Sequence, residues 1–295
     1  MRTLGRFAPS PTGPLHFGSL VAAVASWVDA RASGGEWHLR IEDVDAPRAV
    51  PGAEATILRQ LEGLGLTWDG PVVRQSERAT RYDEALGHLA ESGLIYRCRC
   101  SRKEIADSAF LGIDGAVYPG TCRDAHVPER EPAAVRFCVS AGRVTVRDRV
   151  QGDIAHDLAR DLGDFVLKRR DGLFAYQLAV VVDDAELGVT DVVRGADLLD
   201  STPRQVALQR ALGLATPRYL HVPVATRNGE KLSKQTLAPA IDASCAMTAL
   251  KNALAFLGQE PGNGETVEAL LGEAVARWDP NRIPRYRARE APSAP

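Results

Sequence analysis

The first regular pattern in the chain is a short strand, Arg2 to Phe7, followed by Ala8-Pro9-Ser10-Pro11-Thr12-Gly13-Pro14. That stretch can be neither helix nor central strand, because proline has no amide donor and fixes its own backbone angle. From Gly18 onward Leu20, Val24, Trp27 and Val28 recur at helical spacing until Gly34-Gly35 stops the run, and Trp37 to Ile41 reads as a second strand. Strand, Gly/Pro loop, helix, strand is the opening of a parallel α/β sheet. Two more helices follow, one turning Leu58, Leu61 and Leu64 inward and the next Tyr82, Leu86 and Leu89.

At Leu94 the texture changes. Leu94 to Cys98 is strand-like, Ser101 with Glu104 forms a capping-box pattern, and residues 108–134 are rich in Gly, Pro and polar side chains without periodicity. An inserted module is therefore expected at 98–160. The apolar run Leu178 to Val182 and the strand Val192-Val193 bring the chain back to the sheet, and Asp200-Ser201-Thr202-Pro203 opens a helix that Gly213 ends. Leu220 to Thr226 reads as a strand, and the turn at Asn228-Gly229 leads into Lys231-Leu232-Ser233-Lys234-Gln235. Helices at Met247–Leu257 and Val267–Trp278 precede a Pro/Arg-rich tail. The expected division is a catalytic domain at 1–97 and 161–235, the module at 98–160, a helical region at 236–285 and a flexible tail at 286–295.

Composition narrows the class. With 295 residues, 45% of them hydrophobic, the chain can bury a sizeable core. It contains no run of about eighteen apolar residues and no signal-peptide core after Met1, so a cytoplasmic location and no membrane association are expected. A net charge of −2 and a pI near 6.3 argue against a globally basic nucleic-acid binder but leave room for a local basic stripe. Five cysteines, with Cys98 and Cys100 two apart, do not form a secreted disulfide framework and fit metal ligation or free thiols.

Two segments carry candidate chemistry. In the first, prolines hold a loop open, Gly13 and Gly18 allow close approach to the backbone, and His16 stands beside a helix N-terminus. Free N–H groups and the helix dipole favour phosphate there. In the second, the ammonium groups of Lys231 and Lys234 can neutralise charge that builds up on a triphosphate attacked at its α-phosphate. The pair resembles the two signatures of class I aminoacyl-tRNA synthetases, His-x-Gly-His and Lys-Met-Ser-Lys-Ser. Ser19 stands in place of the second histidine, and Leu232 and Gln235 also depart from the pattern. Ser19 retains a hydroxyl that can donate to phosphate. The resemblance implies a Rossmann-type parallel sheet that binds nucleotide, with an inserted zinc-containing α+β module and a small C-terminal helical region. It also implies catalytic roles for His16, Lys231 and Lys234, contacts to ATP from His16, Gly18, Ser19 and Lys234, and Mg2+ accompanying the ATP.

The opening Arg6-Phe7-Ala8-Pro9-Ser10-Pro11-Thr12-Gly13 and the second-strand run Leu39-Arg40-Ile41-Glu42-Asp43-Val44-Asp45 are similar to those of glutamyl-tRNA synthetases. This resemblance extends to about Gln235. It implies that Arg6, Phe7, Ala8, Pro9, Ser10, Glu42, Tyr176 and Arg194 surround the amino acid. The chemistry agrees with a dicarboxylate: Arg6 and Arg194 offer guanidinium forks, and Glu42 at a strand's carboxyl end offers a partner for the α-ammonium. Asp43 or Asp45 is a candidate for ribose or structural contacts.

Cys98 and Cys100 face one side of a strand, and with Cys122 they supply three thiolates for a tetrahedral zinc that needs a fourth ligand. Tyr118, His126, Asp114 and water are the candidates, and donor chemistry alone favours His126. Short glutamyl-synthetase-like proteins carry a Cys-x-Cys…Tyr-x3-Cys site in this insertion, and that resemblance implies Tyr118 and one structural zinc per chain. Cys138 and Cys245 read as core or surface residues. The chain ends about sixty residues after Lys234, where full-length glutamyl-tRNA synthetases continue into an anticodon-binding half, and is read as complete. For the short members the resemblance implies that glutamate is activated by ATP without tRNA and then passed to the queuosine of tRNA(Asp). The alternatives are a minimal synthetase that charges an ordinary tRNA 3′ end and an inactive relative that binds a partner through the zinc module. A monomer is expected.

Overall fold

A computed structural model describes residues 2–112, 115–232 and 239–292. The chain opens with β1 (Leu4–Phe7), α1 (Phe17–Ala32), β2 (Glu36–Ile41), α2 (Ala53–Gly63), β3 (Val73–Arg74) and α3 (Ala79–Glu91). Next come β4 (Ile95–Cys98), α4 (Arg102–Ser108), β5 (Phe110–Gly112), β6 (Gly115–Val117), β7 (Ala134–Phe137), β8 (Arg143–Asp148), β9 (Gly152–Asp157) and β10 (Phe165–Lys168). The second half holds α5 (Tyr176–Glu186), β11 (Asp191–Gly195), α6 (Thr202–Ala211), β12 (Arg218–Val222), β13 (Val224–Arg227) and β14 (Glu230–Lys231). It closes with α7 (Ala246–Phe256), α8 (Val267–Arg277) and β15 (Ala288–Glu290).

The main sheet runs β3-β2-β1-β11-β12-β8-β9, parallel throughout except for β9. Helices cover both faces. On one, Leu20, Val24 and Val28 of α1 pack with Ile57 and Leu61 of α2, Leu250 and Leu254 of α7 and Leu270 of α8. On the other, Tyr82 and Leu86 of α3 meet Leu178 and Val181 of α5 and Val206 of α6. The strand order reverses between β1 and β11, and a crevice opens beyond the carboxyl ends of such neighbours, where parallel α/β sheets take ligands.

Several segments differ from the sequence expectation, among them Leu220 to Thr226, which divides at Pro223 into β12 and β13 of separate sheets. Leu178 to Val182, the apolar run expected to bring the chain back to the sheet, lies inside α5, a helix buried continuously from Leu178 to Asp184. A short, continuous apolar run has no period that separates helix from strand. The helix also delivers Asp183 and Asp184, directly after the run, to buried arginines. Residues 143–157, within the segment expected as a separate module, form β8 and β9 of the main sheet, while β4, β7 and β10 form a small antiparallel sheet of their own. Within the tail, Ala288–Glu290 is held: β15 pairs with β13, and Glu290 accepts from Thr226 Oγ1 at 3.0 Å and from the Asn228 amide at 2.7 Å. The capping box of Ser101 with Glu104 is present as expected.

Candidate active site

One cavity of about 690 Å³ lies at the carboxyl ends of β1, β2, β11 and β12. Arg6, Phe7, Ala8, Pro9, Ser10, His16, Gly18, Ser19, Glu42, Tyr176, Arg194 and Lys231, all named from sequence, line it. Lys234 lies outside the described residues.

The floor is a buried charge network. Arg6 donates from Nε to Asp184 at 3.2 Å, and Arg40 Nη1 donates to the same Oδ1 at 2.5 Å. Arg40 also reaches Glu42 Oε1 with Nη2 at 3.3 Å. Burial opposes the Asp184 charge, but Arg40 and Arg6 outweigh it and hold the carboxyl below its ordinary range. At Glu42 burial wins against Arg40 and Arg6, and the pKa is raised. The Glu42 amide is anchored on Pro9 O at 3.0 Å, which fixes the second-strand motif against the first. Asp43 instead binds Ser76 through its amide (2.8 Å) and Oγ (2.6 Å), and Asp45 pairs with Arg48 and Arg169. Both make structural contacts.

Arg194, at the end of β11, is surrounded by neutral acceptors. Nε donates to His221 Nε2 at 3.0 Å, Nη1 to Tyr176 OH at 3.3 Å, and Nη2 to Thr202 Oγ1 at 3.0 Å and Leu198 O at 3.4 Å. Unlike Arg6 and Arg40 it has no carboxylate partner among the described residues. Beneath it the His221 ring pairs through Nδ1 with Asp148 Oδ2 at 2.6 Å, and both side chains are fully buried.

The rim belongs to the N-terminus of α1. His16 is the N-cap: its Nδ1 accepts from the Ser19 amide at 3.3 Å, while Ser19 Oγ accepts from the His16 amide and donates to His16 O, each at 2.8 Å. The Ser19 hydroxyl is thereby drawn into the cap of the helix. A Cβ on Gly18 would sit 3.2 Å from the His16 ring, so only glycine leaves that imidazole in place without pressure. Lys231 pairs with Asp197 across the cleft, and Leu232 is held by its amide on Ala225 O at 2.8 Å.

Away from the cleft, the thiol sulfurs of Cys98, Cys100 and Cys122 lie within 4.8 Å of one another, a set that can hold a metal ion. Tyr118 OH is 3.4 Å from Cys98 Sγ and 3.6 Å from Cys100 Sγ, and it accepts from the Cys122 amide at 2.8 Å. The Tyr118 ring is clamped by the Arg136 guanidinium 4.0 Å above its centroid. His126 is exposed and stands apart from the cluster, and Asp114 lies outside the described residues. Cys138 is half-buried and Cys245 exposed.

Residues 2–256 match the catalytic domain of the class I tRNA synthetases (E and Q). The chain belongs to this family. It is 57% identical over 282 residues to the glutamyl-Q tRNA(Asp) synthetase of Chromobacterium violaceum, covering 95% of each chain. It is 55% identical over 288 residues to the protein of that name in Pseudomonas aeruginosa, covering 96% of this chain and 95% of that one. Its fold superposes on the glutamate-tRNA synthetase of Elizabethkingia anophelis with a TM-score of 0.83 and 26% identity, covering 99% of this chain and 68% of that one. The similarity to a glutamate tRNA ligase of Elizabethkingia meningosepticum, crystallised with its amino acid, has a TM-score of 0.81. The protein is thus a class I synthetase-type ligase of glutamyl-tRNA synthetase-like function.

Four residues that shape this synthetase cleft were not found from sequence: Arg40, Asp148, Asp184 and His221. The available signal was polarity out of place. Arg40 sits inside a buried strand, Asp183-Asp184 closes an apolar run, and His221 interrupts Tyr219-Leu220-His221-Val222. Asp148 had no such mark. Among the described residues no helix is long and apolar enough to cross a membrane.

Proposed function

We propose that the protein joins glutamate to the α-phosphate of ATP without tRNA and then transfers the glutamyl group to the queuosine at the first anticodon position of tRNA(Asp). The observation that carries the first half is the buried Arg194 guanidinium, ringed by neutral acceptors, in the same cavity as the Arg6–Asp184–Arg40–Glu42 network and the His16 helix terminus. Such a cation is suited to the side-chain carboxylate, with Arg6 and Tyr176 beside it and Glu42 facing the α-ammonium. Phe7, Ala8, Pro9 and Ser10 form the wall. His16, Gly18 and Ser19 take the triphosphate end, where helix-terminal N–H groups favour anions. An α-carboxylate oxygen attacks the α-phosphorus, the bond to pyrophosphate breaks, and Lys231 and Lys234 stabilise the departing charge. Magnesium supplied with ATP lowers the charge of the triphosphate.

In transfer, a hydroxyl of the acceptor attacks the acyl carbonyl and AMP leaves. The cyclopentenediol of queuosine presents cis-hydroxyls like those of a terminal ribose, so one cleft serves it without new catalytic residues. Unstacked anticodon-loop bases are open to proteins in a way that duplex bases are not. The name of the curated relatives supports this acceptor. Cys98, Cys100 and Cys122 with Tyr118 would hold a structural zinc: three soft thiolates suit that ion, and the phenol oxygen lies beside two of them.

The test is glutamate-dependent ATP–pyrophosphate exchange with and without tRNA. It is followed by labelling of tRNA(Asp) that carries queuosine but lacks its terminal adenosine, and of queuosine-free tRNA(Asp) with an intact end. Exchange without tRNA and labelling of the first RNA alone are expected. Labelling of the second alone would make the protein a minimal synthetase that charges the 3′ end.

A further inference from the structure

Arg194 is held from behind by a neutral ring whose orientation is fixed one step further away. Its Nε donates to His221 Nε2, so that nitrogen presents a lone pair, and the proton of a neutral imidazole must then be on Nδ1. Nδ1 faces Asp148 Oδ2 at 2.6 Å, a strong acceptor that selects this tautomer. Asp148 is in turn fixed through Oδ1 by the amides of Val150 at 3.0 Å and Gln151 at 2.8 Å. The remaining polar group on the ring edge is Thr202 Oγ1, 3.3 Å from Nε2, and the Tyr219 ring stacks on its face at an interplanar angle of 13°. Asp148 and His221 do not line the cavity.

We propose that Asp148 and His221 are positioning residues for substrate recognition, acting through Arg194. Asp148 fixes the tautomer, His221 offers an uncharged acceptor, and Arg194 is thereby aimed into the cavity with its positive charge unspent. A carboxylate in the place of His221 would aim the guanidinium equally well but neutralise it. The inference rests on the reading that Arg194 receives the glutamate side chain. Burial, partly offset by the Asp148 hydrogen bond and reinforced by Arg194, brings His221 down to about 4, which keeps the ring neutral in the working range.

The experiment compares wild type with Asp148→Asn, His221→Leu and His221→Gln in tRNA-free exchange. An asparagine can donate to Nδ1, which would place the ring proton on Nε2 against Arg194 Nε–H. Asp148→Asn and His221→Leu are expected to raise KM for glutamate about tenfold or more, the range for a charged hydrogen bond. The KM for ATP should stay near wild type, and kcat should change little, because the aim of Arg194 acts on ground and transition states alike. His221→Gln, which keeps a neutral acceptor, should recover most of the loss. A glutamate KM within about twofold of wild type in both Asp148→Asn and His221→Leu would overturn the proposal, as would equal losses for both substrates. Should those variants fail to fold, nitrogen NMR of the wild-type imidazole decides: a proton on Nδ1 supports the relay, and one on Nε2 overturns it. Wild-type exchange that ignores glutamate would instead remove the underlying reading, and the relay with it.

Discussion

Glutamate should be preferred over glutamine, and Arg194 sets the margin. A guanidinium carries five N–H groups. Nε is spent on His221, both Nη2 protons on Thr202 and Leu198, and one Nη1 proton on Tyr176, which leaves one Nη1 proton for the cavity. Tyr176 OH accepts from Arg194, so its own proton is free for the same ligand. A carboxylate placed there takes two hydrogen bonds, one from a cation. Charged hydrogen bonds contribute roughly 1 kcal/mol more than neutral ones, and an amide leaves the buried cation without a counter-ion, so the difference reaches about 2–3 kcal/mol. That is roughly 30- to 150-fold in kcat/KM. The assay is pyrophosphate exchange with each amino acid over a concentration series, repeated in Arg194→Lys, which keeps the charge but loses the planar fork. Discrimination below about fivefold in wild type would refute this account of the pocket, as would a lysine variant with unchanged kcat/KM for glutamate.

Asp184→Asn leaves Arg6 and Arg40 buried with Glu42 as their nearest remaining counter-charge, and should lower unfolding stability by about 3–5 kcal/mol in urea titrations; a loss under about 1 kcal/mol would mean the network relaxes or hydrates. His221 falls from 6.5 unfolded to about 4 folded, so the unfolded chain binds the extra proton first and stability is lost as pH drops through that window. Between pH 8 and pH 5 this group should cost about 2 kcal/mol, read as the difference in urea midpoints between wild type and His221→Gln, since the raised Glu42 acts in the opposite sense in both. A wild-type slope no steeper than that of His221→Gln would put the ring's proton uptake elsewhere. Native mass spectrometry should find about one zinc per chain, released by serine at Cys98, Cys100 or Cys122 with loosening of the segment around it, and a metal-free protein of full stability would end that assignment.

Contacts close in sequence were the legible ones. The segment from Phe7 to Gly18 reads directly as a strand end, an open turn and a helix start, because proline, glycine and periodicity act within a few residues. Tyr176 and Arg194 carry no local mark and came from resemblance alone. The residues that were missed act at long range: Asp184 lies 178 positions from Arg6, and Asp148 lies 73 from His221. Asp148 was hidden further by β8, which lies in the chain between β7 of the small antiparallel sheet and its hairpin partner β9 yet pairs with β12 of the second half. Ser19 belongs to the helix start, as its spacing from His16 indicates, and its hydrogen bonds to the His16 backbone complete a cap that the sequence does not display.

The three arginines at the sheet's carboxyl edge separate folding from recognition by the same chemistry applied in two ways. Arg6 and Arg40 share Asp184, and Arg40 also reaches Glu42, so their charges are balanced inside the protein and the strands β1 and β2 are locked to α5 before any ligand arrives. Arg194 is solved differently. Desolvating a guanidinium without an anion is costly, and a nearby aspartate would relieve that cost. Asp148 instead lies one ring away, with the neutral His221 between it and Arg194. The arrangement forgoes a direct ion pair in the folded protein and leaves the cation's demand for a partner to be met in the cavity. An internal Arg194–carboxylate pair would make a more stable core, but a dicarboxylate substrate would then have to displace a built-in competitor to bind.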